Sequence, residues 1–269
     1  AESHVDRSID DPLPFLKSNV IGTFNLLEVT RFFYKNLNID KKNSFRLIHI
    51  STDEVFGSLG ENEFFNEDSP YNPRSPYSAS KAASDHFMKS WTNTFELPTI
   101  ICNCSNNFGP WQFPEKLIPN IILKAMKNEK IPIYGNGLNI RDWLFIEDHI
   151  NALVLIASKG EIGESYCVGG NNERTNIEIT QYICSALDIL KPKVSKYSEL
   201  INFVKDRPGH DKRYAVSYKK IKTKLGWEPK YKFEDAIFET IKWYLKNISW
   251  CEKILKKSGY SGQRLGNSI

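Results

Sequence analysis

The chain has 269 residues and a mass of 31.0 kDa, with 41% hydrophobic residues, 25% charged residues and a formal net charge of +4. This length can bury a large core as one domain or two packed together, and the composition excludes a disordered chain. The mild charge, with acids and bases interspersed, argues against nucleic acid as partner, and no apolar run approaches the roughly 18 residues of a membrane span.

Residues 12–37 carry Phe15, Leu16, Val20, Phe24, Leu27 and Phe32 at helical spacing. Residues 45–50 read as a strand, and "STDEVFG" over 51–57 lies at its carboxyl end. A polar loop over 61–76 precedes a helix over 77–95 and a strand over 98–104. The pattern then predicts a helix over 117–126, strands over 131–134 and 142–146, and a helix over 148–158. A strand over 165–168 follows, then a helix over 177–190 capped by Thr175 or Asn176. A last amphipathic helix over 233–245 aligns Ala236, Ile237, Thr240, Ile241 and Tyr244 on one side. Strands alternating with helices predict an α/β fold with a largely parallel sheet, in which ligands sit beyond the carboxyl ends of strands.

The five cysteines (Cys102, Cys104, Cys167, Cys184, Cys251) lack paired C-x-x-C spacing and the histidines are scattered. Free thiols in a reducing cytoplasm, and no metal centre, are the expectation. The chain opens on "AESHVDRSID", which is polar and unlike a signal peptide.

Two features point to chemistry. Asp53 and Glu54 are adjacent carboxylates at a strand end, where burial is costly unless paired. Two nearby carboxyls repel when both ionise, which raises one pKa and separates an acid from a base. Tyr77 and Lys81 stand four apart on a predicted helix, so both project from one face. An ammonium held near the phenol would favour the phenolate and make Tyr77 a general base; an incidental surface pair is the alternative.

A Thr and two acids at a strand end, followed by Tyr-x-x-x-Lys, resemble the extended short-chain dehydrogenase/reductase superfamily. The blocks "AESHVDRS", "STDEVFG", "YSASKAASDHF", "NCSNNFGPWQFPEKLIP", "IYGNGLNIRDWLFIEDH", "VGGNNERTN" and "DRPGHDKRYAV" together resemble the dTDP-glucose 4,6-dehydratase family nearly end to end. The resemblance implies an internal redox cycle with NAD as cofactor. Tyr77, assisted by Lys81, takes the proton of the sugar 4-hydroxyl, and Thr52 hydrogen-bonds the 4-oxygen. Glu54 removes the proton on carbon 5, and Asp53 protonates the departing 6-hydroxyl. Positions Ala1, Glu2, Ser3, Ser18, Tyr77, Lys81 and Asn107 match the cofactor site. The implied substrate is dTDP-glucose, with Ser3, Thr52, Asn106, Lys116, Leu117, Pro132, Ile133, Tyr134, Arg141 and Asn176 around it. The run Asp206, Arg207, Pro208, Gly209 and His210 matches the same site. Arg141 beside Asp142 reads equally as a surface salt pair when the residues are taken alone. Ser18 stands where the family usually has Thr, and Phe56 and Phe108 where it usually has Tyr.

The implied fold is a Rossmann-like parallel sheet, incomplete in its N-terminal half, with a smaller interleaved C-terminal α/β domain. Residues 1–110 are expected to be the remaining cofactor-binding part, with segments near 130–160 returning to it. Residues 111–269 are expected mainly to bind the nucleotide sugar. No glycine-rich turn stands between a first strand and helix, so truncation, with loss of several strands and an unpaired sheet edge, is the expectation. The glycines of "GYSGQRLG" (Gly259, Gly262, Gly266) read as a tail. A homodimer through the helices near 15–37 and 77–95 is also implied. A UDP-sugar dehydratase or epimerase of the same superfamily, or an inactive fragment that only binds nucleotide sugar, are the alternatives.

Overall fold

The computed structural model describes residues 1–258, and the tail glycines Gly259, Gly262 and Gly266 lie outside them. The N-terminal third runs α1 (Val5–Asp10), α2 (Leu13–Phe15), α3 (Gly22–Lys35), α4 (Ile39–Ser44), β1 (Leu47–Thr52) and α5 (Pro76–Phe95). It is followed by β2 (Thr99–Cys104), β3 (Asn106–Phe108), α6 (Leu117–Met126), β4 (Ile131–Tyr134), β5 (Ile140–Phe145) and α7 (Ile146–Lys159). The rest comprises β6 (Ser165–Val168), β7 (Glu173–Thr175), α8 (Asn176–Leu190), β8 (Ile201–Val204), α9 (Lys219–Leu225), α10 (Phe233–Lys246) and α11 (Ile248–Ser258).

Three small sheets result among the described residues. β1, β2 and β6 form a parallel sheet in that order, with Leu47 opposite Thr99 and Ile101 opposite Ser165. Every residue of β2 is buried, as expected of a parallel strand covered on both faces, and α5 and α7 supply the covers. β5 pairs β3 in parallel and β7 antiparallel, while β4 pairs β8. α6, α8 and α10 enclose the largest apolar cluster, which includes Ile122, Ile131, Ile183, Leu187, Ile237 and Tyr244. This is the α/β fold with parallel sheets that the alternating pattern predicts. None of the described helices is long and apolar enough to cross a membrane. All five cysteines are buried and free.

The helix read over 12–37 is not one uniform helix. A π-helical turn, Leu16–Ile21, separates α2 from α3. Phe15 and Leu27 are buried but Leu16, Phe24 and Phe32 are exposed, so the buried side is narrower than the apolar spacing suggests. Asn19 lies inside this turn and is buried, with its side chain bonded to both backbone groups of Glu2 and to Ser80 Oγ. The amide thus pins the first residues of the chain against α5.

Local chemistry sets the helix that carries the tyrosine. Ser75 caps α5 and Pro76 occupies its first turn, where a missing N–H costs nothing. Ser75 Oγ accepts from Ser78 N at 3.0 Å, and Ser78 Oγ accepts from Ser75 N at 2.9 Å. A reciprocal cap of this kind contributes about 1 kcal/mol. The same device, between Thr175 and Glu178, starts α8.

Candidate active site

β1 ends at Thr52, and the next four residues, Asp53–Phe56, wind into a single 3-10 turn. Thr52 caps that turn, its hydroxyl accepting from Glu54 N at 3.3 Å and donating to Asp53 Oδ1 at 3.2 Å. Gly57 ends it with φ +90°, and a Cβ there would sit 2.7 Å from Asn72 O. Glycine is required on both counts. The tight turn is what places both carboxyls at the strand end.

The two carboxyls have unlike surroundings. Asp53 is 1% exposed, and its Oδ2 has no hydrogen-bond partner among the described residues. Burial, then the charges of Glu54 and Asp142, push its pKa well above the usual carboxylate range, against Arg141 and the Thr52 hydroxyl. Glu54 is also raised by burial, but it faces three cations, Arg207, Arg141 and Lys116, which oppose the shift. Asp53 is therefore held toward the acid form, and Glu54 is the better placed of the two to ionise.

The Asp53 environment has a stability cost at neutral pH. Its folded-state pKa is raised above the unfolded value. Its favourable contribution is therefore complete only below the unfolded pKa and disappears as pH rises toward the folded one. Asp53→Asn should melt with the wild type below pH 3.8, the ordinary Asp value, and above it by several degrees near neutrality. Thermal denaturation across pH checks this.

Tyr77 packs against Phe15, with ring centroids 6.2 Å apart, and its backbone N donates to Ser8 Oγ at 3.1 Å. The Thr52 side chain lies near enough to the phenol to act on its titration, so the phenol and the threonine converge. The expectation that Lys81 lowers the phenol's pKa is corrected here. Burial, followed by the charges of Glu54 and Cys104, raises Tyr77 well above its ordinary value. Lys81 Nζ instead donates to Ile50 O at 2.7 Å and lies 3.3 Å from His49 Nε2. The i, i+4 spacing puts both side chains on one face, but the ammonium turns to a carbonyl of β1, the outer strand of its sheet among the described residues.

Beyond Glu54 opens a cleft of about 230 Å³. Of the expected substrate residues, Ser3, Asn106, Lys116, Leu117, Pro132, Ile133, Tyr134, Arg141, Asn176, Arg207 and His210 line it. Thr52 lies at the strand end behind Glu54 and is not on the lining. Asp206, Pro208 and Gly209 are exposed and also not on it. Asp206 acts through a neighbour, its Oδ1 lying 2.6 Å from His210 Nδ1. His210 is pushed down to about 4 by burial, then by Arg207 and Arg141, and so enters the cleft neutral near pH 7. Arg141 is buried, donates to Asp211 O at 3.0 Å and stacks 4.2 Å from the centroid of Tyr214. The surface salt pair with Asp142 does not form, because Asp142 caps Gly170 N and Asn172 N instead.

Sequence reasoning missed several lining residues, among them His4, Asp6, Glu115, Asn120 and Tyr214. Asp6 matters most. Its carboxylate takes Arg207 Nη1 at 2.6 Å and Tyr134 OH at 2.8 Å, and it raises Arg207 even though burial opposes this. An acid inside "HVDRS" that balances a distant arginine was the only available signal.

The residues present fit the nicotinamide end of NAD. Asn107 Oδ1 is buried without a hydrogen-bond partner among the described residues, close to the Cys104 and Ser105 groups to which its Nδ2 donates. Lys81 is buried with its ammonium anchored only to a carbonyl and an imidazole. Ala1, Ser3 and Ser18 are exposed, and Glu2 is held by Asn19. A glycine-rich turn between a strand and a helix for the pyrophosphate is not among the described residues.

Comparison with known proteins agrees with this geometry. A family model described as GDP-mannose 4,6 dehydratase matches residues 1–240. A probable dTDP-glucose 4,6-dehydratase of Sinorhizobium fredii is 53% identical over 266 residues, covering 99% of this chain and 76% of the relative. The dTDP-glucose 4,6-dehydratase of Neisseria meningitidis is 51% identical, covering 99% of this chain and 76% of that protein. Among solved structures, the dTDP-glucose 4,6-dehydratase of Streptomyces venezuelae with NAD bound superposes with a TM-score of 0.85 at 38% identity, covering 94% of this chain and 74% of that one. The UDP-glucuronic acid 4-epimerase of Bacillus cereus gives 0.79 at 26% identity, covering 91% and 73%. With an acid pair at a strand end, a Tyr-x-x-x-Lys helix and relatives this similar along three-quarters of their length, the chain belongs to the dTDP-glucose 4,6-dehydratase family.

Proposed function

We propose that the protein converts dTDP-glucose to dTDP-4-keto-6-deoxyglucose, removing water from the hexose. The observation that carries this reading is the unlike environment of Asp53 and Glu54, an acid and a base side by side. NAD, when bound, supplies reversible hydride acceptance, so the sugar is oxidised and later reduced within one site. Tyr77 takes the proton of the 4-hydroxyl, and Thr52, close to the phenol, holds the same oxygen. Once carbon 4 is a ketone, the proton on carbon 5 is acidic and Glu54 removes it. Asp53, kept protonated by burial, donates to the leaving 6-hydroxyl, and water departs. Lys81, Asn107 and Ser3 would hold the nicotinamide end of the cofactor, with Ala1, Glu2 and Ser18 at its margin.

Substrate binding follows from charge. Arg207, Lys116 and Arg141 gather around the cleft, as a diphosphate requires. Asn106, Asn176 and His210 add polar partners, and the Pro132–Tyr134 edge of β4 offers a flat wall for a base. Arg207→Ala should raise KM for the nucleotide sugar about 10- to 100-fold and leave kcat nearly unchanged, since one charge-assisted bond contributes roughly 1.5–3 kcal/mol. Steady-state kinetics reads both constants.

Residues 1–110, with returning segments near 130–160, form the cofactor side in this reading, and 111–269 the sugar-nucleotide side. The exposed Phe24, Val29 and Phe32 of α3 support a homodimer through the α3 and α5 faces. Five buried free thiols support a cytoplasmic setting. The test is turnover of dTDP-glucose with added NAD, using protein expressed from its complete reading frame and following the 4-keto product in alkali. Formation of the 4-keto-6-deoxy sugar is the expected result. Turnover of UDP-glucose in preference, or product epimerised at carbon 4, would overturn it.

A further inference from the structure

The described mechanism leaves one fully buried carboxylate unused. Asp85 lies on α5, one turn beyond Lys81 and two beyond Tyr77, and has 0% exposure. It does not line the cleft. Its Oδ2 accepts from Ser51 Oγ at 2.7 Å, from Tyr71 OH at 3.0 Å and from Asn103 Nδ2 at 3.2 Å. Its Oδ1 lies 3.1 Å from His49 Nε2, the same nitrogen that Lys81 Nζ approaches at 3.3 Å.

Each partner leads to a group with a proposed part in the reaction. Ser51 is covalently next to Thr52. Asn103 Nδ2 also donates to Thr52 O at 3.3 Å, so Asp85 grips the threonine from β1 and from β2. Tyr71 packs on Phe56, with centroids 5.4 Å apart, and Phe56 closes the turn that carries Asp53 and Glu54. His49 Nε2 lies between Lys81 Nζ and Asp85 Oδ1, although Oδ1 itself has no hydrogen-bond partner among the described residues. One carboxylate therefore ties the helix of Tyr77 and Lys81 to the strand end and turn that carry the threonine and both acids.

Stability alone is a weak reason for such a hub. A buried charge pays for desolvation, and well-packed apolar side chains of similar volume commonly do as well or better. What apolar packing cannot supply is a directional link to several polar groups at once. We propose that Asp85 is a positioning residue, fixing Tyr77 and Lys81 on α5 in register with Thr52, Asp53 and Glu54. The proposal rests on the dehydratase reading above.

Asp85→Asn tests it. The amide keeps the shape and one acceptor oxygen, but a neutral acceptor binds its donors about half as strongly and leaves the Lys81 ammonium without its nearby counter-charge. Wild type and D85N are compared on dTDP-glucose with NAD, with the folded fraction measured alongside. The expected result is a kcat lower by about 10- to 100-fold, the cost of misplacing reacting groups by a fraction of an ångström to one, with KM within about twofold of wild type. Ser51→Ala and Tyr71→Phe each remove one donor and should lower kcat by a smaller factor, again without moving KM. If D85N does not fold, these two variants decide. A folded D85N with wild-type kcat, a loss explained wholly by unfolded protein, or S51A and Y71F both at wild-type kcat overturns the proposal. A wild-type protein inert on the substrate removes the dehydratase reading and this inference together. An active wild type with an unimpaired D85N removes only this one.

Discussion

Glu54→Gln should reduce kcat about 10²- to 10⁴-fold, the usual range for losing a positioned general base, and leave substrate affinity close to wild type. Quenched mixtures should then hold the carbon 4 ketone with its 6-hydroxyl intact, because oxidation precedes the step that Glu54 performs. The pH profile checks the assignment independently. The base works ionised, so the acid limb of the wild-type profile follows the Glu54 pKa, raised by burial above the ordinary 4.5. The acid works protonated, so the alkaline limb follows Asp53, which burial and like charge raise well above 3.8. Adjacent carboxyls titrate as a pair, and both limbs report on that pair. E54Q should lack the acid limb.

Tyr77→Phe should lose a comparable 10²- to 10⁴-fold in kcat, but at an earlier point. It removes the group that takes the 4-hydroxyl proton, so neither the ketone nor the deoxy sugar should accumulate. The variant should fold, because the ring's packing on Phe15 is kept and only the hydroxyl is lost. The phenol as it stands is held neutral by burial and by Glu54, with Lys81 turned toward Ile50 O. Its use as a base therefore needs the ammonium to leave that carbonyl and approach the phenol. Lys81→Met, measured beside Y77F, reads this dependence as a fall in kcat toward that of Y77F. Equal kcat values for wild type and Y77F would remove Tyr77 from the mechanism.

The contrast between these residues and their neighbours shows what the sequence can convey. α6, β4 and β6 coincide with the segments predicted from apolar spacing, and Ser75 and Thr175 cap their helices where the sequence places such residues. β3 and β7 are three residues long, too short for a period of two to register, and β8 leaves Asn202 and Phe203 exposed and so shows no buried apolar run. Periodicity also cannot foresee the π-helical turn at Leu16–Ile21, nor that Phe24 and Phe32 stay exposed beside the buried Leu27.

At the site, adjacency in sequence made Thr52, Asp53 and Glu54 visible, and a four-residue spacing did the same for Tyr77 and Lys81. Asp6 and Arg207 are far apart in the chain and meet only in the folded protein. Spacing showed that Lys81 shares a face with Tyr77, but not that a carbonyl of β1 would take its ammonium. Asp85 lies inside the block "YSASKAASDHF", where no spacing marks it for a role. Its burial depends on strands packed across α5, a tertiary fact that no local pattern encodes.

The central claim is that Glu54 and Asp53 eliminate water across carbons 5 and 6 of the hexose. It is tested most directly by running the reaction in D2O, with NAD and protein from the complete reading frame, and locating deuterium in the product. Glu54 exchanges its abstracted proton with solvent, so the account predicts a 6-deoxy product carrying solvent deuterium at carbon 5. A product that keeps its 6-hydroxyl, is inverted at carbon 4 and holds no solvent deuterium at carbon 5 would contradict it.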